Sequence, residues 1–175
     1  VMLTALVCVG AAARAGAVTL RVTEAAASAQ GEMASVCVVL EGGGGQVAGT
    51  SNDLVWDGNC ATLTAGGCTV NPAHGKALST AFPPGESFTM RAIVLSLSDT
   101  KPMGDTELYC CLFRSELTEP GSVCPVNIVR PAAADSGGNA LTTRGIPGAI
   151  RFVGRGGEGA QPRARAGAPG PLSAA

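Results

Sequence analysis

Seven cysteines and one histidine are the side chains of this 175-residue chain best suited to covalent or metal chemistry. The histidine, His74 in "NPAHGK", has no ligand pattern around it, and no CxxC pair accompanies the cysteines. A nucleophilic serine would be expected in a G-x-S-x-G elbow, which the chain lacks. The sequence therefore predicts no catalytic and no metal-binding residue. Zinc remains the competing interpretation of the cysteines.

Cys8 lies in a short apolar stretch at the start of the chain. This stretch is followed by "ARA" and "AGA", the small-x-small pattern that precedes signal-peptide cleavage. Residues 1–17 are therefore predicted to be a secretory signal peptide, with a buried alanine-rich helix as the alternative. Export places the mature protein outside the cell or in the cell envelope, where cysteines oxidise.

Six cysteines remain after cleavage, an even number that predicts disulfides. Cys60 and Cys68 close a short glycine-rich segment, "CATLTAGGC", and are the predicted local pair. Cys110 and Cys111 are adjacent and would point to opposite faces of a strand, so each should bond a different strand. The partners of these two cysteines, and of Cys37 and Cys124, stay open.

Oxygen ligands for calcium occur at a few turn positions, but no complete calcium loop is present. The segment "DSGGN" lacks the D-x-[DN]-x-[DN]-G-x₅-E pattern, and an Asx or glycine turn is the expected structure. We predict no cofactor and keep calcium as the alternative. The candidate ligands are Asp99, Asp105, Asp135 and Asn139.

The bulk composition fits one domain and argues against several partners. The formal charge is −1, so nothing in the overall charge favours binding to phosphates, and nucleic acid is not an expected partner. Aromatic residues make up only 3% of the chain, which disfavours a carbohydrate-stacking platform. No apolar stretch is long enough to span a bilayer.

Short β-rich segments separated by turn residues fill the region from 18 to 153. Predicted strands cover residues 18–22, 33–40, 47–56, 89–97, 108–115, 124–129 and 149–153. No convincing amphipathic helix interrupts them, so the chain is predicted to be an all-β sandwich or barrel. Residues 154–175 are rich in Gly, Pro, Ala and Arg and are predicted to be a disordered tail.

The stretch "QVAGTSNDLVWDGNC" has two faces. Leu54 and Trp56 mark the inner one, which also carries Thr50 and Asn52. A buried Asn is costly without a hydrogen-bond partner, so we expect an internal partner, with a polar pocket as the alternative.

The order of several motifs resembles the cohesin modules of secreted bacterial proteins. "VTLRV", a second β-rich strand and "VAGTSNDLVWD" resemble the start of a cohesin, and "MRAIVLSLSD" resembles a later strand. "EPGSVCPVNIVRPAAADSGGNAL" is similar to the family's final strands and turn. The resemblance covers about residues 18–153.

The resemblance implies a jelly-roll β-sandwich of about nine strands that binds dockerin modules without catalysis. In cohesins the recognition face includes the strand matching residues 47–56. Carried over by position, the contact groups fall at Gly49 and Ser51, which lack the expected side chains. Asp53 supplies a carboxylate on the same face, with a solvated surface acid as the alternative. The implied setting is attachment at the cell surface or in a polysaccharide-handling assembly.

Two other functions remain open. One is a carbohydrate-binding jelly roll, for which polysaccharide would be the partner. The other is a structural or adhesive surface domain with no dockerin partner.

Overall fold

A computed structural model describes residues 17–154, which form twelve strands and one 3₁₀ turn. The strands are β1 (Val18–Val22), β2 (Glu24–Ala27), β3 (Met33–Glu41), β4 (Gly49–Trp56), β5 (Ala61–Val70), β6 (Ala77–Ala81), β7 (Thr89–Leu95), β8 (Thr106–Ser115), β9 (Val123–Ala134), β10 (Ala140–Leu141), β11 (Thr143–Ile146) and β12 (Gly148–Phe152). The 3₁₀ turn is Pro72–His74.

The strands form two sheets that enclose one apolar core. One sheet has the order β11-β1-β3-β8-β5, and the other has the order β2-β12-β9-β4-β7-β6 with β10 beside β9. Both terminal segments pass from one sheet to the other, and they pair in parallel in each sheet. If β1–β2 and β10–β12 are each counted as one interrupted segment, nine remain, as the cohesin resemblance implied. The all-β sandwich is confirmed.

The central strand β4 has the inner face predicted from its sequence. Thr50, Asn52, Leu54 and Trp56 are all buried, while Ser51 is half-buried on the other face. Trp56 packs edge-on against a buried phenylalanine of β8, with ring centroids 5.3 Å apart. Alternation with a period of two therefore sets which side chains enter the core.

Of the two polar residues on this inner face, Asn52 is satisfied across the sandwich, whereas the buried Thr50 hydroxyl has no hydrogen-bond partner among residues 17–154. Asn52 Nδ2 donates to the hydroxyl of Tyr109 on β8 at 2.8 Å, and that hydroxyl donates to Asn52 Oδ1 at 3.2 Å. Both side chains are almost fully buried, and burial raises the pKa of the Tyr109 hydroxyl. The expected internal hydrogen bond is confirmed, and the polar-pocket alternative is wrong.

One prediction about the cysteines is wrong: Cys60 does not bond Cys68. The segment from Cys60 to Cys68, which the sequence suggested was a closed loop, lies almost wholly in strand β5. Ala61 lies opposite Ser115 and Cys68 lies opposite Cys111, four residues along β8. That spacing is about 14 Å on a strand, whereas bridged Cα atoms lie within about 7 Å.

The three observed disulfides connect separate strands and both sheets. They join Cys37 to Cys110, Cys60 to Cys124, and Cys68 to Cys111. The adjacent cysteines of β8 bond β3 on one side and β5 on the other, so the prediction that they serve different strands is confirmed. The Cys60–Cys124 bond joins the start of β5 to β9 and links the two sheets.

Two predictions fall almost wholly outside the described residues: the signal peptide, except for Ala17, and the tail, except for Gly154. Among residues 17–154, no helix has the length and apolar character needed to cross a membrane.

Chymotryptic digestion of the unreduced protein tests the disulfide pattern. Cleavage after Leu63 separates Cys60 from Cys68. We expect one product that links Cys60 to Cys124. We expect a second in which the adjacent cysteines of β8 link the peptides of Cys37 and Cys68. Mass spectrometry that finds the Cys60 and Cys68 peptides joined to each other would contradict the structure.

A double-mutant cycle tests the hydrogen bond across the core. Tyr109→Phe leaves both amide atoms of Asn52 buried without this partner and should cost about 1–3 kcal/mol of unfolding free energy. Asn52→Leu combined with Tyr109→Phe should cost less than the sum of the two single changes. Urea unfolding measures all four proteins. Additive losses would show that the two groups are not coupled.

Candidate functional site

The predicted site residues Gly49, Ser51 and Asp53 lie on the outer face of the seven-stranded sheet. Neighbouring outward positions run from β7 across β4 to β9. One row contains Ile93, Ser51 and Ala132, and the next contains Arg91, Asp53 and Val129. Backbone pairing therefore brings together groups that are far apart in sequence.

A shallow apolar groove of about 330 Å³ occupies one end of this face. Small residues line it on β4 and β9, and Ile93 and Leu95 line it on β7. A Cβ on Gly49 would lie 3.4 Å from that of Leu95, so glycine keeps this part of the groove open. Small, uncharged lining groups suit the docking of an apolar side chain and offer no acid or base for catalysis. The small lining residues of the two strands are Gly49, Thr50, Ser51, Ala132, Ala133 and Ala134.

Asp53 lies beside the groove and is the centre of an ion-pair network. Arg91 donates to it through Nε at 2.8 Å and Nη2 at 3.1 Å, and Arg130 donates through Nε at 2.5 Å. Arg130 also binds Glu86 through Nη2 at 2.8 and 3.1 Å. The Asp53 side chain is only 1% exposed, whereas the side chains of Arg91 and Arg130 are 41% and 55% exposed.

A β-bulge brings Arg130 to this face. Ser51 pairs with Ala132 and Asp53 with Val129, so one residue of β4 faces two residues of β9. Arg130 has a φ of 50°, a left-handed conformation that costs free energy for a residue other than glycine. Strict alternation after Val129 would turn residue 130 inward, and the bulge instead aims its guanidinium at Asp53.

The arginines keep Asp53 ionised. Hydrogen bonds from Arg91 lower the pKa of the Asp53 carboxyl most, burial opposes this, and Arg130 lowers the pKa further. Because the charged carboxylate accepts three hydrogen bonds, it is the favoured form in the folded protein.

The three predicted contact positions therefore have different environments. Gly49 and Ser51 line the groove. Asp53 lies on the same face, but its carboxylate is covered, so neither a free contact group nor a solvated surface acid describes it. The accessible charged groups of the network are Arg91, Arg130 and Glu86, none of which was among the predicted contact residues. Arg91 could have been found because it shares an outward face with Ile93 and Leu95. The bulge at Arg130 also has a sequence signal, since Pro131 follows it and proline within a sheet is confined to edge strands and bulges.

A second pocket, of about 430 Å³, is lined by His74, Asp99 and Asp105. The polar side-chain atoms of these residues are hydrogen-bonded to nearby backbone groups. His74 Nε2 lies 3.0 Å from the Leu108 carbonyl, and its Nδ1 accepts from Lys76 N at 3.2 Å. Asp99 accepts from a Lys101 amide and Asp105 from a Gly43 amide. These contacts order loops. His74 is half-buried.

Asp135 and Asn139 form the turn that was preferred over a calcium loop. Asp135 Oδ1 accepts from the amides of Gly137 and Asn139 at 2.9 and 2.8 Å. The Asn139 side chain holds the pKa of the Asp135 carboxyl below its usual value. Within residues 17–154 the one compact group of metal-ligand side chains is Cys37, Glu107 and Cys110, and its two sulfurs form a disulfide.

The phenylalanines divide between the core and the surface. Phe113 and Phe152 are in the core, but Phe82 is 65% exposed and Phe88 is 51% exposed. Phe88 packs edge-on near Trp56, with centroids 6.4 Å apart, so part of its ring covers the end of the core.

Comparison with solved structures identifies the class of fold. The sixth cohesin of scaffoldin B from Acetivibrio cellulolyticus, solved with a dockerin, matches with a TM-score of 0.66 at 14% identity, over 78% of this chain and 99% of that one. A type I cohesin–dockerin complex from Clostridium thermocellum matches at 0.67 and 7% identity, over 79% and 95%. A non-cellulosomal cohesin from the archaeon Archaeoglobus fulgidus matches at 0.63 and 16%, over 78% and 91%.

The chain therefore has a cohesin-like β-sandwich fold. No protein-family model and no curated protein matches the sequence.

Asp53→Asn tests the ion-pair network through its pH dependence. The folded pKa of Asp53 is lowered, so its contribution to stability is present above its unfolded pKa of about 4 and is lost as pH falls through the folded value. The variant should lose about 2 kcal/mol of unfolding free energy at pH 7, and the difference should shrink below pH ~4. Denaturant unfolding across this range measures it.

Glu24→Gln is the control because Glu24 pairs with Arg151 at an exposed position. Its effect at pH 7 should be much smaller than that of Asp53→Asn. Equal losses in the two variants would show that burial of Asp53 adds nothing.

Proposed function

We propose that this chain is a non-catalytic protein-binding module whose partner is a dockerin-type module. The observation that carries this proposal is the apolar groove on the outer face of the seven-stranded sheet, at Gly49, Ser51 and Leu95. In the solved complexes with similar folds, cohesins bind dockerins. The predicted recognition strand, β4, forms the centre of this face.

The polar groups support binding rather than catalysis. His74, Asp99 and Asp105 hold loop backbone, and Asp53 is engaged by two guanidiniums. A general acid or base must reach a substrate proton, and these groups are already occupied.

We further propose that the module acts outside the cell or in the cell envelope. Three disulfides in a chain of this size suit an oxidising compartment. Attachment of proteins at the cell surface, or within a polysaccharide-handling assembly, is the corresponding role.

A matched pair of arginine substitutions tests the binding face. Leu95 is 38% exposed at the groove, and Leu112 is 42% exposed on the outer face of the other sheet. The purified domain should be titrated by calorimetry with a panel of dockerin modules in the presence of calcium. Leu95→Arg should abolish binding of any dockerin that the parent protein binds, because its side chain fills the groove. Leu112→Arg should leave affinity unchanged.

Three outcomes would contradict the proposal. One is the absence of binding to every dockerin in the panel. Another is equal loss in both variants. The third is retention on polysaccharide columns without a protein partner, which would favour a carbohydrate-binding role.

A further inference from the structure

The charged network beside the groove is built to present guanidinium groups outward. Its only fully covered member is the carboxylate of Asp53, and the side chains of Arg91, Arg130 and Glu86 remain 41%, 55% and 41% exposed. Arg91 uses Nε and Nη2 for Asp53. Among the hydrogen bonds of residues 17–154, its Nη1 group has no acceptor, so these donors face solvent at the edge of the groove.

The arginines are held in place more firmly than ordinary surface side chains. Asp53 fixes Arg91 through a two-point fork and Arg130 through Nε, and Glu86 holds the far side of Arg130. Long side chains normally lose rotamer entropy when a ligand binds, and this loss is smaller when they are already ordered. The left-handed bulge conformation of Arg130 is part of the same arrangement.

We propose that this pair of arginines selects a partner segment that carries a carboxylate beside its apolar anchor. The proposal rests on the proposed function, because it assigns the chemistry of the partner that the groove would bind. Asp53 takes the Nε–Nη2 edge of Arg91, and the remaining outward hydrogens on Nη1 and Nη2 can donate to a carboxylate of the partner. A lysine or arginine at the same place on the partner would meet like charge.

The rise per residue along β4 sets the distance between the groove and the arginines that are bound to Asp53. Ser51 and Gly49 lie two and four residues from Asp53 on β4, which corresponds to about 7 and 14 Å. On a partner helix that runs along β4, with a rise of ~1.5 Å per residue, the acid should lie about 5 to 9 residues from the anchor, which is about one and a half to two and a half turns. The positions in this range that keep both side chains on one face are i+7 and i+8.

A display library of two-helix, dockerin-type scaffolds with randomised surface positions tests the proposal. Clones are selected on the parent domain and then tested against Leu95→Arg, which identifies those that use the groove. We expect Asp or Glu to be enriched at the stated spacing from an apolar residue. In an enriched clone, Glu→Lys should weaken binding by more than tenfold.

Arg91→Gln tests the named residue, and Arg130 still covers Asp53 in this variant. Arg91→Gln should weaken the binding of an enriched clone about tenfold. It should barely affect binding of the same clone with Glu→Gln, so the effects of the two changes on affinity should be strongly non-additive. Arg91→Lys should retain only part of the preference for a clone with an acidic residue, because lysine keeps the charge but lacks the planar set of guanidinium donors. Thermal unfolding of each variant shows that the domain remains folded.

The outcomes separate the two proposals. The acidic-partner proposal is overturned if clones that depend on the groove show no enrichment of Asp or Glu. It is also overturned if the effects of Arg91→Gln and of Glu→Gln in the clone are additive. Either result leaves the proposed binding face unchanged. A selection that yields no clone sensitive to Leu95→Arg overturns both.

Discussion

The central constraint of this molecule is that two consecutive polar residues on a central strand must both be satisfied. Asn52 points into the core and is paired by Tyr109 of the opposite sheet, while Asp53 points outward and is covered by Arg91 and Arg130. A shift of β4 by one residue would place the carboxylate in the core and the tryptophan outside, at a cost of several kcal/mol. These pairs therefore favour a single register for the sheet that carries the groove.

The sequence predicted the parts of the fold that depend on local alternation. Leu54 and Trp56 identified the inner face of β4, and the need to satisfy a buried Asn predicted an internal partner. It did not identify Tyr109, which is 57 residues away, or the partners of Asp53, which are 38 and 77 residues away. Such pairings arise from strand order, which has no strong local pattern, and from a bulge, which Pro131 signals without revealing the partner of Arg130.

The cysteines illustrate the same limit. Alternation correctly placed Cys110 and Cys111 on opposite faces of one strand, because that inference needs only the strand itself. Proximity in sequence misled the assignment of Cys60 and Cys68, because the glycines between them lie in a strand with a wide irregularity rather than in a closed loop. Which cysteines meet was decided by the neighbours of β5 and β9 in the sandwich.

The site follows from how the polar groups are distributed. Most of the groups that could do chemistry hold backbone or one another, which leaves a surface of small apolar side chains beside two half-exposed guanidiniums. A groove without charge can contribute affinity, but it discriminates poorly between apolar partners of similar size. The arginines add a charge requirement at a fixed distance, and the buried Asp53 positions them without using exposed surface. In the proposed complex, burial of that carboxylate connects the stability of the sheet with the choice of partner.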